Sequence, residues 1–331
     1  MSAVAACLSK AELGEPQSYR NLSLFPLLAD GIAEPEYLLL DEALERGCAR
    51  VTEVSELGSV PELRFVNDCD RPVLLIDGEE LIGAKQNRIL NLSILVPAHK
   101  TILVPVSCVE AGRWDAQSAE FGSAKRAHYA AGRAQKASQV SASLSSTGAR
   151  RSDQSRVWAD ISAKSARMQS FSATEAAAAL YDTHRTGLDE YLGAFSPRAA
   201  QLGALFTLNG RVLGLDLFDS PRTLSSLLSK LVESSALDAI DAGGEGAADG
   251  GREEAVSFIA AVAKAEVERF DAIGLGEDLR VRAPHVAGGA LLAEGRVVHL
   301  CAFRVDAEEG AEPSLSRSRL ARASQRRRGR L

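Results

Sequence analysis

Between Ser18 and Trp114 the apolar positions come in short runs, several of them alternating with polar ones: "LSLFPLL", "EYLLLDEAL", "ARVTEV", "ELRFVND", "RPVLLIDGEEL", "QNRILNLSILV" and "KTILVPVSC". "NDCDRP", "DGEE" and "PAHK" separate them with turn chemistry,. "DEALERG" alone reads as a helical turn, with Gly47 just past its end,. Short strands at this spacing suit a sandwich or a barrel. The expectation for residues 18–114 is a β-rich, sandwich-like module.

The pattern then changes. Residues 115–196 are rich in Ala, Ser, Gln, Lys and Arg and read as a helical connector,. "AKRAHYAAGRAQKASQVSASL" has helix formers but a weak apolar stripe. "TGARRSDQSRVWADISAKSARM" is better, because Val157, Ile161 and Met168 share a helical face behind an N-cap at Ser152 or Asp153,. "SATEAAAALYDTHRTGLDEYL" predicts one long helix capped by Thr174, and "SASLSSTGARRSDQ" predicts a hinge loop,.

Residues 197–306 mix strands and helices. "GALFTLNGRVLGLDLF" is a hairpin turning at Asn209-Gly210,. "SPRTLSSLLSKLVESSALDAI" is a helix with Ser220 as N-cap and Pro221 in its first turn,. "EEAVSFIAAVAKAEVERF" predicts a helix running close to Gly274, and "DLRVRAPHVAGGALLAEGRVVHLCAFRV" predicts strands with a turn at Glu294-Gly295. The fold class expected is α+β: the sandwich-like module, the connector, then an antiparallel sheet with helices on one face.

Composition narrows the picture. With 331 residues, 46% hydrophobic and 25% charged, the chain can bury a core of ordinary size,. Its apolar runs are too short for a membrane span and its start does not read as a secretory signal. Cys7, Cys48, Cys69, Cys108 and Cys301 are odd in number and form no CxxC, which argues for a reduced, cytoplasmic protein without disulfides or a zinc ribbon,. The net charge of −6 hides a basic end. Ser316–Leu331 carries Arg317, Arg319, Arg322, Arg326, Arg327, Arg328 and Arg330 and no acid. Residues 307–331 are therefore expected to be a disordered tail, dispensable for folding. The acidic body is unsuited to nucleic acid, which leaves such contacts to the tail.

The chemistry concentrates in "DGEELIGAKQNRILNLSILVPAHKTILVPVSCVEAGRW". Lys85, Gln86, Asn87, Arg88 and Asn91 crowd one strand-like stretch, Glu79 and Glu80 precede it, and Glu110 and Arg113 follow the next strand. If the two strands pair through "PAHK", these groups meet at one end. Arg88 then suits a two-point clamp on phosphate or carboxylate, Lys85 a second charge, and the amides a ribose or amide partner. Asp153 and Gln154 of "SDQSRVW" are candidates to reach the same end. A structural network of the same charges is the competing reading. Cys108 alternates with Val104 and Val106 and reads as core. His99, His128, His184, His285 and His299 lack metal-ligand spacing, so no metal is expected. No P-loop, dinucleotide or nucleophile-elbow motif is present, and no catalytic residue or cofactor is assigned.

These blocks, with "SDQSRVW" and "GALFTLNGRVLGLDLF", resemble the ARG-and-Rhodanese-Phosphatase-superfamily-associated protein domain family over about Ser18 to Asp306. The name implies association with ADP-ribosylglycohydrolase and phosphatase-type proteins, hence a setting in NAD or ADP-ribose metabolism, and no mechanism. The expected function is a polar pocket for an anionic small molecule, nucleotide or ADP-ribose related. The alternative is a non-catalytic binding or assembly protein whose polar block is structural.

Overall fold

Asn209 and Gly210 take positive φ values of 50° and 77°, which a two-residue hairpin turn demands,. They join β13 (Gln201–Leu208) to β14 (Arg211–Phe218) in the middle of the largest sheet. The computed structural model describes residues 1–29, 34–55, 58–115, 117–244, 246 and 250–306. The Arg-rich tail expected at 307–331 lies outside the described residues.

The large sheet is antiparallel. Its path is β1 (Glu12–Leu13), β3 (Leu22–Leu28), β13, β14, β18 (Arg296–Arg304), β17 (Val286–Ala293), β16 (Glu277–Ala283) and β15 (Glu266–Asp271), with β2 (Gln17–Tyr19) on β3. Alternation gives each strand two jobs. Leu24 and Phe206 join one core, with helices α6 (Arg185–Ala194) and α7 (Pro221–Ala242). Phe25 and Leu205 join another on the opposite face, with α1 (Ala3–Leu8) and α8 (Arg252–Ala263). Helices thus cover both faces, not the one expected. Ser220 Oγ accepts the Arg222 N–H to cap α7, with Pro221 at its start, as the sequence indicates,. The expected helix near Gly274 instead stops at Ala263. "EVERFD" becomes β15, in register with β16 from Glu266↔Arg282 to Asp271↔Glu277.

The β-rich region is a closed barrel rather than a sandwich. Its strands run β11 (Lys100–Cys108), β6 (Glu62–Asn67), β5 (Ala49–Glu53), β12 (Phe121–Ala127), β8 (Glu79–Gly83) and β9 (Arg88–Leu90). Closure comes from β9 pairing β11, Val106↔Leu90 to Cys108↔Arg88, which removes the free edges that the sheets of a sandwich would leave,. Val51, Leu63, Phe65, Leu81, Leu90 and Val104 fill the inside. The expected pairing of the Arg88 and Cys108 strands is this β9–β11 contact, but "PAHK" does not turn one directly into the other. The turn joins β11 to β10 (Ile94–Val96), which lies in a separate three-stranded sheet with β7 (Val73–Leu75) and β4 (Leu38–Leu39). The helical turn α2 (Leu40–Glu45) forms as read. "LSLFPLL" leaves its sequence neighbours and pairs with β13. Cys48 and Cys69 form a disulfide, which corrects the reduced reading of all five cysteines and removes its support for a cytoplasmic placement. Cys7, Cys108 and Cys301 are free.

The connector holds α3 (Ala130–Thr147), α4 (Gln154–Arg167) and α5 (Ala178–Thr183). Asp153 caps α4, and Val157, Ile161 and Met168 are buried as expected. Much of the expected hinge is the last turns of α3. The expected single helix after Thr174 is instead α5 followed by α6, and Thr174 is not its cap. No helix among the described residues is long and apolar enough to cross a membrane.

Candidate functional site

Alternation along β9 sends Arg88 into the barrel, where it is wholly buried. Its Nη1 donates to Gln86 Oε1 at 2.9 Å, while Nε and Nη2 have no hydrogen-bond partner. The Trp114 ring lies 5.6 Å from the guanidinium carbon and 5.6 Å from Lys85 Nζ,. Burial pushes the Arg88 pKa down, opposed by Cys108 and Glu53. Both Glu53 carboxylate oxygens are themselves buried without hydrogen bonds. Burial also pushes the Cys108 thiol up to about 11, so it is no thiolate nucleophile at neutral pH,. Arg88, Glu53, Lys85 and Trp114 thus form a barrel-end cluster with free donors and acceptors.

The other charged residues that the sequence places near Arg88 are paired within the protein, with Arg113 Nε left as a single buried donor without a partner. Glu110 accepts from Arg113 Nη2 (2.7 Å), Thr174 Oγ1 (2.7 Å) and the Asn87 N–H (3.1 Å). Burial works against its charge, but these bonds outweigh it and hold the carboxyl below the usual range,. Arg113 also donates to Ala84 O and Asn87 Oδ1. Glu79 binds Lys230 at 2.7 Å, and Glu80 binds Arg126 through two bonds of 2.6 and 3.1 Å. Glu79 and Glu80 thus have separate partners from Glu110. Asn91 donates to Arg150 O and accepts from Ser107 Oγ, which is 2.5 Å from Ser152 Oγ. The Gln154 amide pairs with both the N–H and the C=O of Cys108, at 2.8 Å each, like a neighbouring strand. It thereby docks α4 on the barrel, while Asp153 stays an exposed cap.

A second cluster includes Asp216, whose place between Leu215 and Leu217 leaves open in the sequence whether it is paired inside or faces water; its cationic partners escaped sequence reasoning. On α3, Arg133 binds Asp216 through two bonds of 3.0 and 2.6 Å and Asp77 at 3.2 Å, and Lys136 binds Asp77 at 2.5 Å. All four are buried. Burial would raise the Asp216 pKa, yet Arg133 and His299 hold it down at about 2. Gly78, at φ +82°, lets the β7–β8 turn approach Arg133, because a Cβ there would sit 2.9 Å from its side chain,. The weak apolar stripe of α3 was the available signal: its inward face carries cations that periodicity reads as solvated.

Ser93 Oγ lies 2.6 Å from His299 Nδ1, and His299 Nε2 lies 3.1 Å from Asp216 Oδ1. The order is that of nucleophile, base and orienting acid. The adjoining cavity, lined by Ser93, Asp77, Arg280 and Cys301, measures about 10 Å³, room for one water and no acyl group,. This line therefore reads as part of the junction between barrel, α3 and sheet. Among the described residues no group of His, Cys, Asp and Glu could hold a metal ion.

No curated protein and no solved structure matches the chain. The model of one family, described as the ARG and Rhodanese-Phosphatase-superfamily-associated Protein domain, matches residues 10–303. With nearly the whole described body inside that match, the chain belongs to this family.

Proposed function

We propose that the protein binds a small molecule through an oxyanion at the barrel end, with Arg88 as the clamp. The observation that carries this is a buried guanidinium with one nitrogen pinned by Gln86 and two left without partners. A planar fork meets two oxygens of a phosphate or carboxylate at once, and buried donors left without hydrogen bonds are costly. Glu53 beside it calls for a hydrogen-bond donor, and Trp114 offers a ring face. ADP-ribose and nucleotides combine phosphate, hydroxyl donors and a planar base, and the family description names a phosphatase association. They are the first ligands to try, and the setting in NAD or ADP-ribose metabolism belongs to this proposal.

The competing reading of a structural network in a binding or assembly protein is favoured for Glu79, Glu80, Glu110 and Arg113, whose charges are internally paired. It predicts no response to anions. Thermal unfolding separates the two. ADP-ribose, phosphate or sulfate at about 100 times its Kd should stabilise the native chain by about 2.7 kcal/mol through mass action. Arg88→Lys should stay folded and lose most of that shift. No shift with any of the three, or a full shift in folded Arg88→Lys, would refute the proposal.

A further inference from the structure

A groove of about 480 Å³ runs between α3 and the β16–β17 hairpin, sharing no lining residue with the barrel-end cluster. Its size is that of small-molecule pockets. Helix α3 supplies Gln139 and Ser141, α4 supplies Arg156, and the hairpin supplies Arg282, Pro284 and Val286.

Two polar groups in its wall lack partners. Gln139 Oε1 accepts the Asp153 N–H at 2.8 Å, which fixes the amide's orientation and leaves Nε2 as the other end,. That Nε2 is buried and donates to nothing. Ser138, Ser145, Ser146 and Thr147 on the same helix return their hydroxyls to the carbonyl four residues back,. Ser141, only 1% exposed, does not, and its Oγ has no partner. Buried polar atoms left unpaired are uncommon and call for an explanation. The two arginines are held at the surface, Arg156 by Asp153 at 3.6 Å, and Arg282 by Glu268 at 2.5 Å together with Ser145 Oγ. Such pairs contribute little and exchange readily for another anion. Pro284 and Val286 add an apolar wall.

We infer that this groove binds a phosphate monoester with a further acceptor oxygen and a planar or apolar body. Arg156 and Arg282 take the phosphate, Gln139 Nε2 and Ser141 Oγ meet acceptor oxygens, and the body lies on Pro284 and Val286. The site is independent of Arg88.

Titration calorimetry on the full chain with AMP, adenosine and inorganic phosphate tests this. In the Arg88→Lys protein, which lacks the barrel-end clamp, AMP should bind one per chain and more tightly than either fragment. Arg156→Gln and Arg282→Gln should each weaken AMP by about tenfold, the scale of one charge-assisted hydrogen bond. Ser141→Ala should weaken it without lowering the melting temperature, since the hydroxyl it removes is unpaired. Arg88→Lys should leave this binding unchanged. Three results overturn the inference: no AMP binding, binding that Arg88→Lys abolishes while the groove variants keep it, or binding that appears only after removal of residues 307–331. The last would make the chain's own end, which continues from Val305 and Asp306 beside the groove, the occupant.

Discussion

His128 shows how far a single residue's environment can carry a measurable property. Its side chain is buried, and burial first, then Lys136, Lys164 and Arg133, pull its pKa from the usual 6.5 to about 3. The folded protein therefore keeps His128 neutral where the unfolded chain takes up a proton. Stability from this group is complete above pH 6.5 and is lost as pH falls toward 3,. At pH 5 the loss is about 2 kcal/mol, from roughly 1.4 kcal/mol per unit below the unfolded pKa. Urea midpoints between pH 7 and pH 5 should fall accordingly, and His128→Gln should flatten that slope; an equal slope in the variant would remove His128 from the account. Asp216, held near 2, adds a further loss only below about pH 4,. Residues of this kind were partly legible. Arg88 stood out because a strand rarely carries so many polar groups, whereas Arg133 and Lys136 did not, because a cation on a helix is ordinarily solvated.

At the scale of elements, local chemistry was the legible part. The Asn209-Gly210 hairpin and the Ser220-Pro221 start of α7 are written in adjacent residues and were read correctly. The strand "EVERFD" and the Cys48–Cys69 bond were not, since each depends on a partner beyond its own stretch of chain,. Helix α3 is the clearest case of an element held by something other than its apolar stripe. Its inward face carries Arg133 and Lys136 between Asp77, at the end of β7, and Asp216 on β14. Removing one partner leaves a buried charge uncompensated, while removing both does not. Arg133→Met should therefore cost about 3–5 kcal/mol in chemical denaturation. Arg133→Met with Asp216→Leu should recover much of that loss. A double variant as unstable as the sum of the two singles would mean that these ions do not hold α3.

The whole molecule ties its parts through pairings distant in sequence. The strand 22–28 opens the chain's β-rich stretch yet pairs with β13, so the chain enters the large sheet, leaves to build the barrel, and returns. No composition shift marks this, because apolar alternation says which face is buried and not which strand lies alongside. The Asp77–Arg133–Asp216 cluster then joins barrel edge, helix and sheet at one buried point. Lys230 of α7 repeats the arrangement with Glu79 of the barrel and Asp41 of α2. Chains of this size commonly unfold in stages. Here separating barrel from sheet would strand several buried charges, each several kcal/mol out of place, so the stages should merge. The chain has two tryptophans, Trp114 at the barrel end and Trp158 on α4. In a Trp158→Phe variant, fluorescence follows the barrel alone, while far-ultraviolet circular dichroism follows the helices. The two urea transitions should share one midpoint, and the Arg133→Met variant should pull them apart. Separate midpoints in the Trp158→Phe protein itself would show that the buried ions do not couple barrel and sheet.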